Sequence, residues 1–444
     1  MKLRHALALA LASASLPAHA VNWLQPQNTE PPKAPVYRFF GLLQPTYAYI
    51  KGDDVTGLKG AAAPYNGQTP VFNLVPTMNQ STSAFSFLRA RLGVRGAINP
   101  NVNYFLLTEA GKNATTTKHD VVVTDAFVNF NYIPGARIRV GQGRMPIGDE
   151  GMQPAFVNSE YIYYSNATNS LMNEFPVATN SVVSPVVPGS VLTNARTIEG
   201  GLGYRDLGVE VYDWFPHGKW EYSYALMVST GGGMYSLGNN YGRGTITGRF
   251  QTAYIFGGKG PNRDDLTGYV WYQTGKRHFG NQDYTRTRYG IGSTFHRGKL
   301  RISGEYLWGE GMIFTGLNPP FASAPTYQIA LADSNKAQGG YLEGGYFVLP
   351  KVELDLRYDY FDRLTNSAGD ERIFKTWTIG AQYHFKPNLR LQFNYAIRTL
   401  DVPNLSAVKG PGGTTVANAA AQSNAEIIAN SMGNLAAVQL TWVF

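Results

Sequence analysis

Apolar and polar residues alternate along most of this chain, and the clearest run is its last. Counting back from Phe444, the residues Trp442, Leu440, Val438 and Ala436 share one face, while Val443, Thr441, Gln439 and Ala437 share the other. A period of two is what a β-strand imposes. About sixteen such segments are predicted, from 36–51 and 85–98 at one end to 389–400 and 434–444 at the other. The links between them alternate as well. Tight links such as Asn99-Pro100-Asn101, Ile133-Pro134-Gly135, Pro216-His217-Gly218, Arg297-Gly298 and Lys386-Pro387-Asn388 follow the even-numbered segments, built from the residues that turns favour. Longer links follow the odd ones, at 52–84, 112–120, 146–201, 231–243, 277–283, 310–338, 365–372 and 401–433.

Long loops at one end, tight turns at the other and both termini on the tight-turn side predict an all-β fold. The expected architecture is a transmembrane antiparallel β-barrel of about sixteen strands, occupying residues 36–444. Closure removes the sheet edges that would otherwise aggregate. The third long link, 146–201, is out of proportion to the others, and so long a stretch without its own periodicity is expected to carry function.

The start of the chain assigns a compartment. Lys2, Arg4 and His5 precede an apolar run from Ala6 to about Pro17 and then Ala18-His19-Ala20, the layout of a secretory signal peptide over residues 1–20. That run is too short to span a bilayer as a helix. Residues 21–35 form a Pro-rich leader. Cys is absent, which excludes disulfides, a thiolate metal site and a covalently attached c-type haem. Aromatic residues make up 13%, with 28 Tyr, and mean hydropathy is −0.22. That average is too polar for a bundle of membrane helices and ordinary for a barrel whose lipid face uses alternate residues. Formal charge drops from +8 to +6 when Lys2 and Arg4 leave with the signal segment. A basic balance raises the question of nucleic acid, but no basic run or nucleic-acid motif is present.

Strand phase turns charge inward. If Leu88, Ala90, Leu92 and Val94 face lipid, then Arg89, Arg91 and Arg95 face the lumen; with Ile138 and Val140 outward, so do Arg137 and Arg139. By the same phase Arg249, Arg286, Arg288, Arg301, Arg357, Arg390 and Arg398 point inward, as do Glu109, Asp125, Asp206, Glu210, Glu305, Glu353, Asp355 and Asp359. An Arg or Lys on the lipid side near the midplane costs roughly 2–4 kcal/mol. Arg89, Arg91, Arg95, Arg137 and Arg139 are expected to form a basic ladder near the root of the long loop, drawing anions into the channel. The alternative for each is a pair with a neighbouring acid. The loop itself carries Asp149, Glu150, Glu160, Glu174 and Glu199 against Arg196 alone. An acidic loop facing an arginine wall would set a transverse field suited to dipolar hydrophilic solutes. Tyr161, Tyr163 and Tyr164 are expected to pack the loop against the wall.

Several stretches resemble the phosphate-selective porin O and P family. They are Arg89-Ala90-Arg91-Leu92-Gly93-Val94-Arg95-Gly96, Asp125-Ala126-Phe127-Val128-Asn129-Phe130, Arg139-Val140-Gly141-Gln142-Gly143-Arg144-Met145-Pro146-Ile147-Gly148, and Tyr204-Arg205-Asp206-Leu207-Gly208-Val209-Glu210. The final strand resembles the sorting signal of bacterial outer-membrane barrels, carried by Phe444, Trp442 and Leu440. The chain departs from the family at Gly143, Arg144 and Ile147, where such porins read Gly-Gln-Phe-Lys and then Pro-Phe-Gly. The resemblance implies residence in the outer membrane among its lipid and lipopolysaccharide, and a homotrimer, for which the strand at 339–349 offers a flat small-residue wall. It also implies a third loop, 146–201, that folds into the lumen and sets a constriction, against the alternative of a mobile external loop.

Three function classes stay open. The first is a porin for passive diffusion of small hydrophilic solutes with a preference for anions. The second is a substrate-specific phosphate or oxyanion channel. The third is a barrel that transports nothing, either a sheath around an electron-transfer partner or an outer-membrane enzyme. No H-E-x-x-H, G-x-S-x-G or P-loop pattern occurs, so neither catalytic residues nor a cofactor is assigned. His119, His217, His278, His296 and His384 are scattered among loops and strand ends, and His217, His296 and His384, near the tight turns, read as rim residues rather than a metal site. Asp53-Asp54 is a weak candidate for a divalent ion.

Overall fold

A computed structural model describes residues 30–51, 83–111, 121–153, 161–172, 190–194, 204–235, 242–258, 263–279, 282–317, 326–408 and 418–444. The signal segment, most of the leader, Asp53, Asp54, His119, Glu160, Glu174, Arg196 and Glu199 lie outside these residues. Sixteen strands close into one antiparallel barrel. In chain order they are β1 (Arg38–Lys51), β2 (Ser83–Asn99), β3 (Val102–Glu109), β4 (Val122–Phe130), β5 (Arg137–Arg144), β6 (Arg205–His217), β7 (Trp220–Ser229), β8 (Gly242–Gly257), β9 (Asp264–Phe279), β10 (Gln282–Arg297), β11 (Leu300–Glu310), β12 (Lys336–Leu349), β13 (Val352–Arg363), β14 (Arg372–Lys386), β15 (Leu389–Asp401) and β16 (Asn434–Val443). Each pairs with its neighbours in sequence, and β16 returns to β1.

The alternation read at the C terminus is what closes the seam. Outward Trp442 and Phe444 are 43% and 39% exposed, while inward Gln439 and Thr441 are 1% and 2% exposed. The backbone of Phe444 exchanges two hydrogen bonds with Gly41, at 2.8 and 3.1 Å, so the last residue extends the ladder onto β1. Outward aromatics gather at both ends of the strands: Phe39, Trp220, Phe385 and Trp442 near the tight turns, Tyr49, Phe85, Tyr306 and Trp377 near the long loops. These are the girdles of a membrane-spanning barrel.

Two expectations are corrected by the pairing. Gln44 pairs with Arg89 but Pro45 with Phe87, so Leu88 is an extra residue in a β-bulge. Pro45 has no N–H for the ladder, and strands accept Pro at such irregularities. The bulge turns Leu88 inward (9% exposed) and leaves Phe85 and Phe87 outward, against the lipid-facing position read for Leu88. The link expected at 277–283 is also much shorter, because pairing between β9 and β10 continues to Phe279 and Gln282. These two strands make a tall hairpin, 16 residues each. By contrast β3, β4 and β5 have only 8, 9 and 8 residues.

The long loops contain structure that period-two reading does not reveal. Ser190–Asn194, from the third loop, joins a hairpin of Ile313–Leu317 and Thr326–Ala330 from the sixth into a three-stranded antiparallel sheet. The last loop holds a helix, α1 (Ala419–Asn430), whose N-cap Asn418 accepts from the N–H groups of Ala420 and Ala421, the usual satisfaction of orphan donors at a helix start.

Candidate functional site

Two described stretches of the third loop, 145–153 and 161–172, run inside the barrel. Its apolar side chains Met145, Ile147, Ala167, Leu171 and Met172 join a buried cluster with Trp271, Leu307, Ala337, Phe361 and Phe374. These last five point inward from β9 and β11–β14, where a water-filled lumen would call for polar residues. A second contact buries Ile162 against Ala48, Leu88, Ala396 and Ala437 on β1, β2, β15 and β16. The loop therefore touches walls on both sides of the lumen.

Polar tethers hold it in that position. Gly148 stands at φ +55, a left-handed conformation that glycine adopts without strain, and its carbonyl accepts from Arg249 Nη1 at 2.6 Å. Glu305 on β11 accepts from Asp149 N at 2.8 Å, Trp271 Nε1 at 2.7 Å and Tyr341 OH at 3.3 Å. Arg357 on β13 donates to Glu150 Oε1 and to the Tyr163 carbonyl, both at 3.1 Å. Asp359 accepts from Asn166 N at 3.0 Å, and Asn394 from Ile162 N at 2.8 Å. The helical turn Thr168–Met172 ends against Arg286 and Arg288, which donate to the carbonyls of Met172 and Leu171 at 3.1 and 2.9 Å. Cations at a helical C-terminus satisfy carbonyls that the turn itself cannot.

Each arginine of the expected ladder faces inward, but most are matched. Arg91 meets Glu109 at 2.5 Å, Arg139 meets Glu210 at 3.0 Å and Arg137 meets Asp213 at 3.1 Å. Arg95 and Arg38 share Glu30. Arg139 is also sandwiched between the faces of Phe127 and Tyr212, at 4.3 and 4.7 Å. Arg89 donates to Gln44 Oε1 at 2.8 Å and lies over the Tyr164 ring at 5.7 Å. Two arginines missing from the expected set complete the group. Arg144 and Arg205 are directly paired across β5 and β6; Arg205 meets Asp125 at 2.9 Å, and Arg144 donates to the carbonyls of Met152 and Gln153 at 2.5 and 2.9 Å. Among the described residues, Arg89, Arg91, Arg144 and Arg205 thus stand against two carboxylates, Glu109 and Asp125, around Tyr164. Burial opposes ionisation of that phenol, but Arg89, Arg144, Arg91 and Arg205 override it and hold the Tyr164 hydroxyl below its usual range.

The two described loop acids, Asp149 and Glu150, do not face this group across open space. Asp149 binds Gln153 at 3.0 Å with Arg249 at 3.9 Å, and Glu150 binds Arg357 and Ser165. Glu160, Glu174 and Glu199 lie outside the described residues; of the acidic loop read from the sequence, Asp149 and Glu150 are drawn to the walls of β8 and β13, and the described acid excess lies around β13. There Arg357 lies within 3.9 Å of Glu150, Asp359 and Glu343. In barrel order β5 and β13 are eight strands apart out of sixteen, hence opposite one another. Tyr161 packs beneath Arg357, its ring centre 4.3 Å from the guanidinium, while Tyr163 and Tyr164 are half-buried.

Among the described residues, no group of His, Asp and Glu is arranged to hold a metal. His384 contacts Glu353 and His296 the carbonyl of Arg263, both at the tight-turn rim.

A model of the phosphate-selective porin O and P family matches residues 67–157 and 273–405. No curated protein matches the chain in sequence. Among solved structures, an anion-selective porin from Comamonas acidovorans aligns with TM-score 0.54 at 13% identity, over 92% of this chain and 99% of its own. OmpF from Salmonella typhi, in complex with daunomycin, aligns with TM-score 0.55 at 14% identity, over 92% and 97%. At such identities the likeness is one of fold, the closed porin barrel.

Proposed function

Since this chain belongs to the phosphate-selective porin O and P family and is an outer-membrane β-barrel porin, we propose that its channel passes small hydrophilic solutes by passive diffusion with a preference for anions. The observation that carries the preference is the arginine excess around Tyr164, at the root of the constriction loop. A fixed cationic group in a narrow channel raises the local anion concentration. The acid-rich wall of β13 opposite it orients dipolar solutes as they pass. The anion-selective porin among the structural relatives is in keeping with this reading.

Phosphate specificity is the second reading. Four guanidiniums converge there, but Glu109 and Asp125 already engage two, and Arg144 holds the loop backbone. That favours weak anion selectivity over a tight oxyanion clamp. In planar bilayers under a KCl gradient, the protein is expected to give a reversal potential of anion sign with little block by phosphate. Arg89→Gln is expected to move the potential toward cations. A cation-selective wild type would overturn the proposal, block by low phosphate would promote the second reading, and no conductance at all would favour a non-transporting sheath or enzyme.

Copies of the chain are proposed to assemble as a homotrimer through β3–β5. A strand of eight or nine residues, tilted by about 40°, climbs roughly 20–23 Å, less than the ~25 Å apolar band that a barrel shows to lipid. Its outer face nevertheless presents Leu106, Phe130 and Val140. A low apolar wall is better covered by protein than by lipid, which favours this face over the one around 339–349.

A further inference from the structure

The leader contributes a charge to the lumen. Arg38 and Arg95 pair directly across β1 and β2, both turned inward at the tight-turn end of the barrel, where short links place the periplasm. Like charges directly opposite one another destabilise a strand pair. The carboxylate of Glu30 lies between them, 5% exposed, with Arg38 Nη2 at 3.3 Å and Arg95 Nε in contact. The backbone that delivers it is anchored separately. The Pro35 carbonyl accepts from Ala97 N at 3.0 Å, and the Val36 carbonyl from Tyr104 OH at 2.9 Å. Gly96 leaves the room that this approach requires, since a Cβ there would run into the Val36 carbonyl. Other arginines at this end have acids on the wall itself: Arg137 has Asp213, Arg263 has Glu221 and Asp265, and Arg301 has Glu353. For Arg38 and Arg95 the acid arrives instead from the N-terminal segment.

We propose that Glu30 sets the ion selectivity of the periplasmic mouth by masking this facing pair of guanidiniums. It is a specificity-determining residue outside the barrel strands, and the inference rests on the reading of the protein as a conducting pore. With Glu30 in place the pair carries one net positive charge; without it, two.

The test is the reversal potential of single channels in a KCl gradient at about 0.1 M mean salt. Glu30→Gln is expected to raise the chloride-to-potassium permeability ratio about twofold, the scale of one added charge near a mouth where screening acts over ~10 Å. Arg38→Gln, which keeps the Glu30–Arg95 pair, is expected to move the ratio the opposite way. Wild-type reversal potentials in both variants would overturn the proposal. Should Glu30→Gln fail to insert, Glu30→Ala decides in its place: an anionward shift supports masking, and an unchanged potential overturns it. A conducting wild type with two indifferent variants sinks this inference and leaves the porin reading standing, whereas a wild type without conductance sinks both.

Discussion

Glu305 concentrates the latch of the third loop into one carboxylate. Its two oxygens take three donors, one from the loop backbone at Asp149 and two from the wall at Trp271 and Tyr341. Removing it leaves those buried donors without their acceptor, at about 1–3 kcal/mol each. Glu305→Ala is therefore expected to lower the heat-denaturation midpoint of the folded barrel on gels and to add open-channel noise as residues 145–153 loosen. Unchanged midpoint and noise would show the latch to be redundant. Strand phase alone turns Glu305 inward, so its position was legible. Its partner Asp149 N lies 156 residues away along the chain, and no local pattern connects them. The same limit separates Arg89, read correctly as inward, from Leu88, read outward. Pro45 on the neighbouring strand displaces the register by one residue, and the signal for that bulge lay on β1 rather than on β2.

The loop between β5 and β6 stood out by its length, and its course along the wall was partly encoded as well. Trp271, Leu307, Phe361 and Phe374 occupy inward phases that a wet lumen does not favour, and together they mark the strip of wall that the loop covers. Reading phase only to locate charges passes over that strip. The chain lacks cysteine, which makes single thiols clean reporters of this arrangement. Tyr164→Cys, at a half-buried position beside the arginines, is expected to react with a charged methanethiosulfonate in the assembled pore and to reduce its current. Ile162→Cys, 2% exposed in the wild type, is expected to stay unmodified. Equal labelling of the two would mean that the loop does not pack on β1, β2, β15 and β16. The pairing of Ser190–Asn194 with the hairpin of the sixth loop had no sequence signal, because two loops far apart in the chain meet only once the barrel has closed.

At the scale of the whole molecule, the uneven height of the wall argues for assembly. Light scattering of the purified protein is expected to give the mass of three copies. Leu106→Trp and Val140→Trp, on the outer face of β3 and β5, are expected to lower it, and Ile291→Trp on the tall β10 is not. A monomeric wild type would remove the proposed interface. What the sequence determined by itself is the barrel: strand number, strand order, the tight-turn end and the inward turn of charge, because all follow from a local period of two and from the cost of a charge in lipid. Only the tertiary structure decided how that charge is spent. Whether an inward arginine meets an acid on the next strand, a carbonyl of the third loop or a carboxylate from the leader depends on which segments closure brings together. Arg91 with Glu109, Arg288 with Leu171 and Arg95 with Glu30 are the three cases, and the identical side chain does different work in each because its partners are set by contacts distant in the chain.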